Sequence, residues 1–314
     1  MAYINLFVSL ALLIIGGNVL VSGSVILAKR LKVSPLLIGL LLIGFGTSIP
    51  ELMTSLFAVA HHSGSIAIGN IVGSNIANIL LVLGICATIR PINIHDHAFG
   101  RDAIFLGLSA MVLLISLLKG VIGFEMGALM CMTLAFYVYH AYQTDKDHQK
   151  KLPPPEPTAL SKRIYIPTYL SILLVISGLI LTLCGANFLV RSTLNLSAQL
   201  GISEAVIGLT VIALGTSLPE LTAGIVASLK NHSDVALGNI IGANIYNSLF
   251  ILGFTALFMP VLAPPTMKFD VLIMTFATLA LLALGWFRGQ ITRSMGITFI
   301  IGYLCYIGYL GFSP

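Results

Sequence analysis

Residues 46–52 read Gly-Thr-Ser-Ile-Pro-Glu-Leu, and the pattern returns at 215–221 as Gly-Thr-Ser-Leu-Pro-Glu-Leu, 169 positions further on. The neighbouring segment Gly69 to Gly84 (GNIVGSNIANILLVLG) returns as Gly238 to Gly253 (GNIIGANIYNSLFILG) at the same displacement of 169, with ten of sixteen positions identical. Asn18 and Asn187 keep that offset as well. Chance does not hold one register across three separate segments, so the chain is an internal duplication.

The duplicated stretches are apolar. Of 314 residues, 57% are hydrophobic and only 9% are charged, whereas a soluble domain carries about 25% charged residues. That composition, with a mean hydropathy of +1.02, excludes a water-soluble protein. Roughly 20 helical residues cross a bilayer core, and the apolar runs predict ten helices near 4–28, 35–60, 66–89, 99–118, 121–142, 167–191, 204–229, 235–259, 269–287 and 294–312. The long polar stretch Gln143 to Arg163 contains Pro153-Pro154-Pro155, which cannot continue a helix and favours extended, hydrated backbone. The expected organisation is therefore a first five-helix repeat at 1–142, a linker at 143–166 and a second repeat at 167–314. The fold class is an all-α membrane protein of about ten transmembrane helices. Five is odd, so the two repeats enter the membrane from opposite sides and form an inverted repeat, an architecture whose substrate site lies near the midplane.

Positive charge gathers on cytoplasmic connections. With both termini outside the cytoplasm and the 143–166 linker inside, 13 of the 16 Lys and Arg residues fall on the inner side and Lys119, Arg191 and Lys268 on the outer. The formal charge of +5 is thus explained by orientation and calls for no nucleic-acid partner. Cys86, Cys131, Cys184 and Cys305 lie far apart in apolar stretches and suggest neither disulfides nor a metal cluster. No signal-peptide cleavage pattern follows the first apolar run.

Of the eleven acidic residues, only Glu51 and Glu220 sit well inside a predicted span. A carboxylate at the bilayer centre costs a few kcal/mol or more and is functional by default. No Lys or Arg lies deep in a span to neutralise either one, which points to a bound cation. Pro50 and Pro219 add helix breaks: each lacks the N–H that would bond the carbonyl four residues earlier, at Gly46 or Gly215, and such carbonyls need protein, water or an ion as partner. Helical spacing puts Thr47 and Ser48 on the face of Glu51, and Thr216 and Ser217 on the face of Glu220. In the next span Asn70, Ser74 and Asn78 form a polar stripe, matched by Asn239, Ala243 and Asn247. Asn75 and Asn244, off the stripe, read as interhelical hydrogen-bond glue.

These candidate ligands are all oxygens, which suits hard cations. Ca²⁺ takes six to eight oxygens in flexible geometry, while Mg²⁺ prefers to retain its waters. The lack of clustered His or Cys argues against zinc and copper. Two carboxylates balance one Ca²⁺ or two monovalent ions, and that competition is a physical basis for exchange.

The paired Gly-Thr-Ser-[Ile/Leu]-Pro-Glu-Leu and Gly-Asn-Ile-[Ile/Val]-Gly-[Ser/Ala]-Asn-Ile motifs resemble the two alpha-repeats of the cation/calcium exchanger superfamily, nearest its prokaryotic sodium/calcium exchanger branch. The resemblance implies a secondary-active antiporter of a prokaryotic inner membrane, moving Ca²⁺ against Na⁺ by alternating access. It implies Glu51 and Glu220 as the Ca²⁺ carboxylates, with the Thr47 and Thr216 carbonyls. It implies Na⁺ ligation by the hydroxyls of Thr47, Ser48 and Ser74 with the Gly44 carbonyl, and by Thr216 and Ser217 with the Ala213 carbonyl. Asn78 and Asn247 would line the centre, and the first and sixth spans would slide against the core. Ala243 stands where many relatives carry Ser, and Asn247 where sodium-driven members often have Asp. Glu51 and Glu220 also bind protons, so H⁺-driven exchange of Ca²⁺ or another divalent cation through the same cage stays open. A remote alternative is an intramembrane carboxyl protease, although such enzymes use Asp in Gly-Asp motifs. No cofactor is expected beyond the transported ions, the partners are inorganic cations and the lipid bilayer, and one chain suffices for transport.

Overall fold

The structure is a computed structural model that describes residues 2–31, 33–60, 64–94, 97–151, 167–199, 215, 217–262 and 267–312. Its helices follow in chain order. α1 is Ala2–Leu31. α2 runs as Pro35–Ile38, a π-helical turn at Gly39–Ile43 and Gly44–Thr47; α3 is Ile49–Ala60. α4 comprises Gly64–Ile76, a π-helical Ala77–Leu83 and Gly84–Ile89. α5 is His97–Leu118 and α6 is Phe124–Lys151. α7 is Thr168–Gln199 and α8 is Leu218–Leu229. α9 comprises Ser233–Ile245, a π-helical Tyr246–Ile251 and Leu252–Phe258. α10 is Lys268–Arg288 and α11 is Arg293–Phe312.

Eight of the described helical stretches are long and apolar enough to cross a bilayer. α6 adds another long helix, and α8 is the described part of the predicted span 204–229. Two boundaries differ from the sequence reading for physical reasons. Val121-Ile122, apolar and assigned above to the fifth helix, forms an extended strand before α6 begins at Phe124. At its other end α6 continues past Tyr142 to Lys151, through residues that the linker reading left irregular. The extension has a packing reason: Asp145 Oδ2 accepts from the Ser34 N–H at 2.8 Å. Ser34 in turn caps α2, its Oγ accepting from Leu37 N–H at 3.1 Å with Pro35 at the first helical position, an arrangement that satisfies otherwise orphaned donors.

Four short strands establish the symmetry. β1 (Ile92–Asn93) pairs antiparallel with β4 (Gln290–Ile291), placing Ile92 opposite Ile291. β2 (Val121–Ile122) pairs antiparallel with β3 (Val261–Leu262), placing Ile122 opposite Val261. Ile92 and Val261 are 169 apart, as are Ile122 and Ile291, so each ribbon is the repeat copy of the other. The first joins the connections after the third and ninth spans, the second those after the fourth and eighth. An odd and an even number of crossings end on opposite faces, so copies of one ribbon lie on opposite sides of the membrane. That is an inverted repeat. Gly120 (φ 79°) and Gly289 (φ 63°), also 169 apart, end the fourth helix of each half in the left-handed conformation that glycine adopts without strain.

In a cysteine-free background, Val121→Cys and Gln290→Cys are expected to react with an impermeant maleimide from opposite faces. Labelling of both from one side would contradict the inversion.

α1 and α7 pack antiparallel along their lengths, Gly16 against Thr182 and its repeat mate Gly185 against Leu13. Without a side chain at these positions the backbones touch, the usual basis of helix association in lipid. This pair lies across the core formed by α2–α4 and α8–α9, to which Lys230 ties it by donating from Nζ to the Asn18 carbonyl (3.0 Å) and Ser22 Oγ (2.7 Å).

Candidate functional site

Both Gly-Thr-Ser-x-Pro-Glu-Leu segments break the helix at the serine. Ser48 has φ −82° and ψ 6°, Ser217 φ −86° and ψ 4°, the same non-helical turn in each half. A new helix starts at the next residue, with Pro at its second position and Glu51 or Glu220 in its first turn. There the missing proline N–H costs nothing, because the first N–H groups of a helix have no partner inside it. A carboxylate in that turn also faces the positive end of the helix dipole. The motif therefore buries two carboxylates at fresh helix N-termini, and both side chains are fully inaccessible to solvent.

The stripe residues hold these turns. Asn70 Nδ2 donates to the Glu51 carbonyl at 3.2 Å and to Ser55 Oγ at 3.3 Å. Its repeat mate Asn239 donates to the Glu220 carbonyl at 3.4 Å. Contacts also cross between halves: Ser48 Oγ donates to Glu220 Oε1 at 3.5 Å, and Thr47 Oγ1 lies 3.3 Å from Asn239 Oδ1. One hydroxyl proton serves one acceptor, and the Ile43 carbonyl at 3.0 Å is the nearer for Thr47. The Gly44 carbonyl accepts from Ser48 N–H at 3.3 Å, which leaves one of its two lone pairs for another partner.

What the site lacks is as informative. Ser74 Oγ, Asn78 Nδ2 and Oδ1, Ser217 Oγ, Glu220 Oε2 and Asn247 Oδ1 are buried with no hydrogen-bond partner among the described residues. Buried polar atoms are paired in native proteins almost without exception, and each unmet one needs a reason. Most of these six are oxygens with free lone pairs, which is the chemistry of a cation cage. Among the described residues no three or more His, Cys, Asp or Glu converge; what the breaks bring together is two carboxylates and neutral oxygens.

The structure thus buries Thr47, Ser48, Glu51, Ser74, Asn78, Ser217, Glu220 and Asn247, with Pro50 and Pro219 at the breaks. Ala213 and Thr216 lie outside the described residues. Sequence reasoning did not assign Asn70 and Asn239 as supports of the glutamate backbones, although their shared repeat position was the available signal. Two of the π-helical turns, at Ala77–Leu83 and Tyr246–Ile251, are repeat copies, and Asn78 and Asn247 stand at their starts. Such turns occur often at functional sites.

A family model described as sodium/calcium exchanger protein matches residues 1–143 and 170–312. The chain belongs to the sodium/calcium exchanger family. Membership makes it an integral membrane antiporter of inorganic cations and not an enzyme, which sets aside peptide hydrolysis. The exchanger is 35% identical to the putative antiporter CaxA of Alkalimonas amylolytica, over 98% of this chain and 97% of that one. It is 30% identical to the sodium/calcium exchanger MaX1 of Methanosarcina acetivorans, over 97% of each. A solved structure of the sodium-calcium exchanger NCX_Mj, soaked with 10 mM Na⁺ and 10 mM Sr²⁺, superposes with a TM-score of 0.85 at 30% identity, covering 98% of this chain and 97% of that one.

Proposed function

We propose that the exchanger moves Ca²⁺ across a prokaryotic inner membrane in exchange for Na⁺. Both termini lie outside the cytoplasm, the 143–166 linker lies inside, and the two five-helix repeats flank it. The observation that carries this reading is the pair of buried glutamates at repeat-related breaks, surrounded by oxygens with unmet bonding capacity. Ca²⁺ is held by Glu51 and Glu220 with the Thr47 and Thr216 carbonyls. Na⁺ uses Gly44, Thr47, Ser48 and Ser74 in one half and Ala213, Thr216 and Ser217 in the other, sharing the glutamates. One set of carboxylates cannot satisfy both loads, so each ion expels the other. The α1/α7 pair, a separate layer against the core, is the element that shifts to open one side at a time. The ions are cargo, no resident cofactor takes part, and a single chain suffices.

Two residues favour a second reading, in which H⁺ drives the exchange. Ala243 offers no hydroxyl where Ser74 stands in the other half, and Asn247 is an amide where a titratable group would serve Na⁺-driven transport. The deciding experiment is ⁴⁵Ca²⁺ uptake into proteoliposomes under an imposed Na⁺ gradient and, separately, an H⁺ gradient. Uptake driven by Na⁺ is expected. Uptake driven by H⁺ alone assigns the second reading, and uptake under neither refutes both. Ala243→Ser is expected to strengthen the Na⁺ dependence of uptake by restoring a ligand. An unchanged Na⁺ response would count against this account of the missing hydroxyl.

A further inference from the structure

Asn247 has two amide ends in very different surroundings. Its Nδ2 donates to Asn75 Oδ1 at 3.1 Å, while its Oδ1 is buried without a partner among the described residues. An amide is a donor at one end and an acceptor at the other, so its value to a cation depends on which end is offered. Asn239, Ala243 and Asn247 recur every four residues on one side of α9. Asn239 touches Thr47 and the Glu220 backbone, which turns that side toward the helix breaks.

Asn75 holds Asn247 in one orientation only if its own amide is fixed. Its Nδ2 lies 2.9 Å from Ser248 Oγ and 3.6 Å from Met274 Sδ. A serine hydroxyl both donates and accepts, so Ser248 alone would serve either orientation of Asn75. A thioether accepts and never donates. Met274 therefore sets the direction: the N–H end of Asn75 faces α10, its carbonyl oxygen faces Asn247, and Asn247 must answer with N–H. With its N–H end so used, Asn247 is left with Oδ1, an acceptor, as its open end. All four residues are buried, on three different helices.

The arrangement belongs to one half only. The repeat counterparts of Ser248 and Met274 are Ile79 and Phe105, whose side chains accept nothing. Asn244, the counterpart of Asn75, donates to the Ile240 carbonyl of its own helix at 2.8 Å. Asn78, the counterpart of Asn247, has neither amide atom partnered among the described residues. The fixed amide lies in the half where Ala243 supplies no hydroxyl.

We propose that Asn75 and Met274 are positioning residues for the transported cation, locking the Asn247 amide so that its Oδ1 rather than its N–H is offered to the ion. This rests on the exchanger reading above. The test measures half-saturating Ca²⁺ and maximal uptake rate in proteoliposomes of the full chain, with melting temperatures taken without Ca²⁺. Asn75→Ala is expected to raise half-saturating Ca²⁺ about tenfold at an unchanged maximal rate, the signature of lost ion binding. Its Ca²⁺-free melting temperature is expected to fall as well, because the Asn247 N–H and Ser248 lose a buried partner. Met274→Leu, which nearly conserves volume, is expected to raise it about threefold with Asn75 intact. Because Met274 acts through Asn75, adding Met274→Leu to Asn75→Ala should change nothing further. Wild-type Ca²⁺ affinity in both single variants overturns the proposal, as do additive effects or a fall in melting temperature at unchanged affinity. If Asn75→Ala does not fold, Met274→Leu decides alone. Wild-type protein that takes up no Ca²⁺ removes the exchanger reading itself, and that measurement precedes the variants.

Discussion

Glu51→Gln and Glu220→Gln are each expected to abolish Ca²⁺ uptake into proteoliposomes while leaving the protein folded. Gln keeps the volume of Glu and, at position 220, an oxygen that can accept from Ser48, so the helix breaks and the contact between halves survive. What disappears is one of the two buried negative charges proposed to balance a divalent ion. At an effective dielectric of about 20, a unit charge pair at about 4 Å is worth roughly 4 kcal/mol. Even with the ion counted as univalent, that is a loss of affinity on the order of 10³-fold. A ligand that binds the folded state raises its melting temperature, so Ca²⁺-induced stabilisation should vanish in the same variants. Ordinary uptake by either one would show that its carboxylate does not hold the cargo. Loss of uptake with Ca²⁺-induced stabilisation intact would place the glutamate in the conformational cycle instead.

The elements most readily recognised from sequence were those that occur twice. Thr47, Ser48, Pro50 and Glu51 share one motif with Thr216, Ser217, Pro219 and Glu220, and a break with a buried acid needs those residue types wherever it occurs. The end of α6 was not visible, because hydropathy reports where the bilayer ends rather than where a helix does. Asp145, Lys146 and Asp147 are polar, yet they remain helical because Asp145 reaches back to the start of α2. Val121 and Ile122 misled in the opposite direction: they are apolar because Ile122 is buried in a ribbon with Val261, not because they cross the membrane. The π-helical turns carry no compositional mark, since one added residue per turn changes register rather than residue type. Asn75 read correctly as a bond between helices. Its importance became apparent only with its partner, since spacing along one helix does not reveal which amide of another it meets.

The same duplication hides a packing requirement that a second variant should expose. Gly242→Val is expected to abolish transport and lower the melting temperature by several degrees, whereas Gly308→Val is expected to be silent. A Cβ built at Gly242 falls within van der Waals distance of the Leu40 carbonyl oxygen and lies 2.9 Å from Leu40 Cα. One at Gly238 meets the Leu36 carbonyl in the same way, and one at Gly39 lies 2.5 Å from the Val235 carbonyl. These neighbours are backbone atoms, which no rotamer change can move aside. Overpacking of this kind costs about 1–3 kcal/mol where side chains can adjust, and here α2 and α9 themselves must separate. Gly308 has nothing within 4 Å of such an atom, so it controls for the loss of glycine from an apolar helix. Separation would act directly on the proposed ion site, because α2 carries Thr47 and α9 carries Asn239, which bonds the Glu220 backbone. Gly242→Ala, a smaller intrusion at the same point, should weaken Ca²⁺ binding before it unfolds the protein. Wild-type kinetics and melting in Gly242→Val would mean that the close approach of α2 and α9 is not what shapes the site.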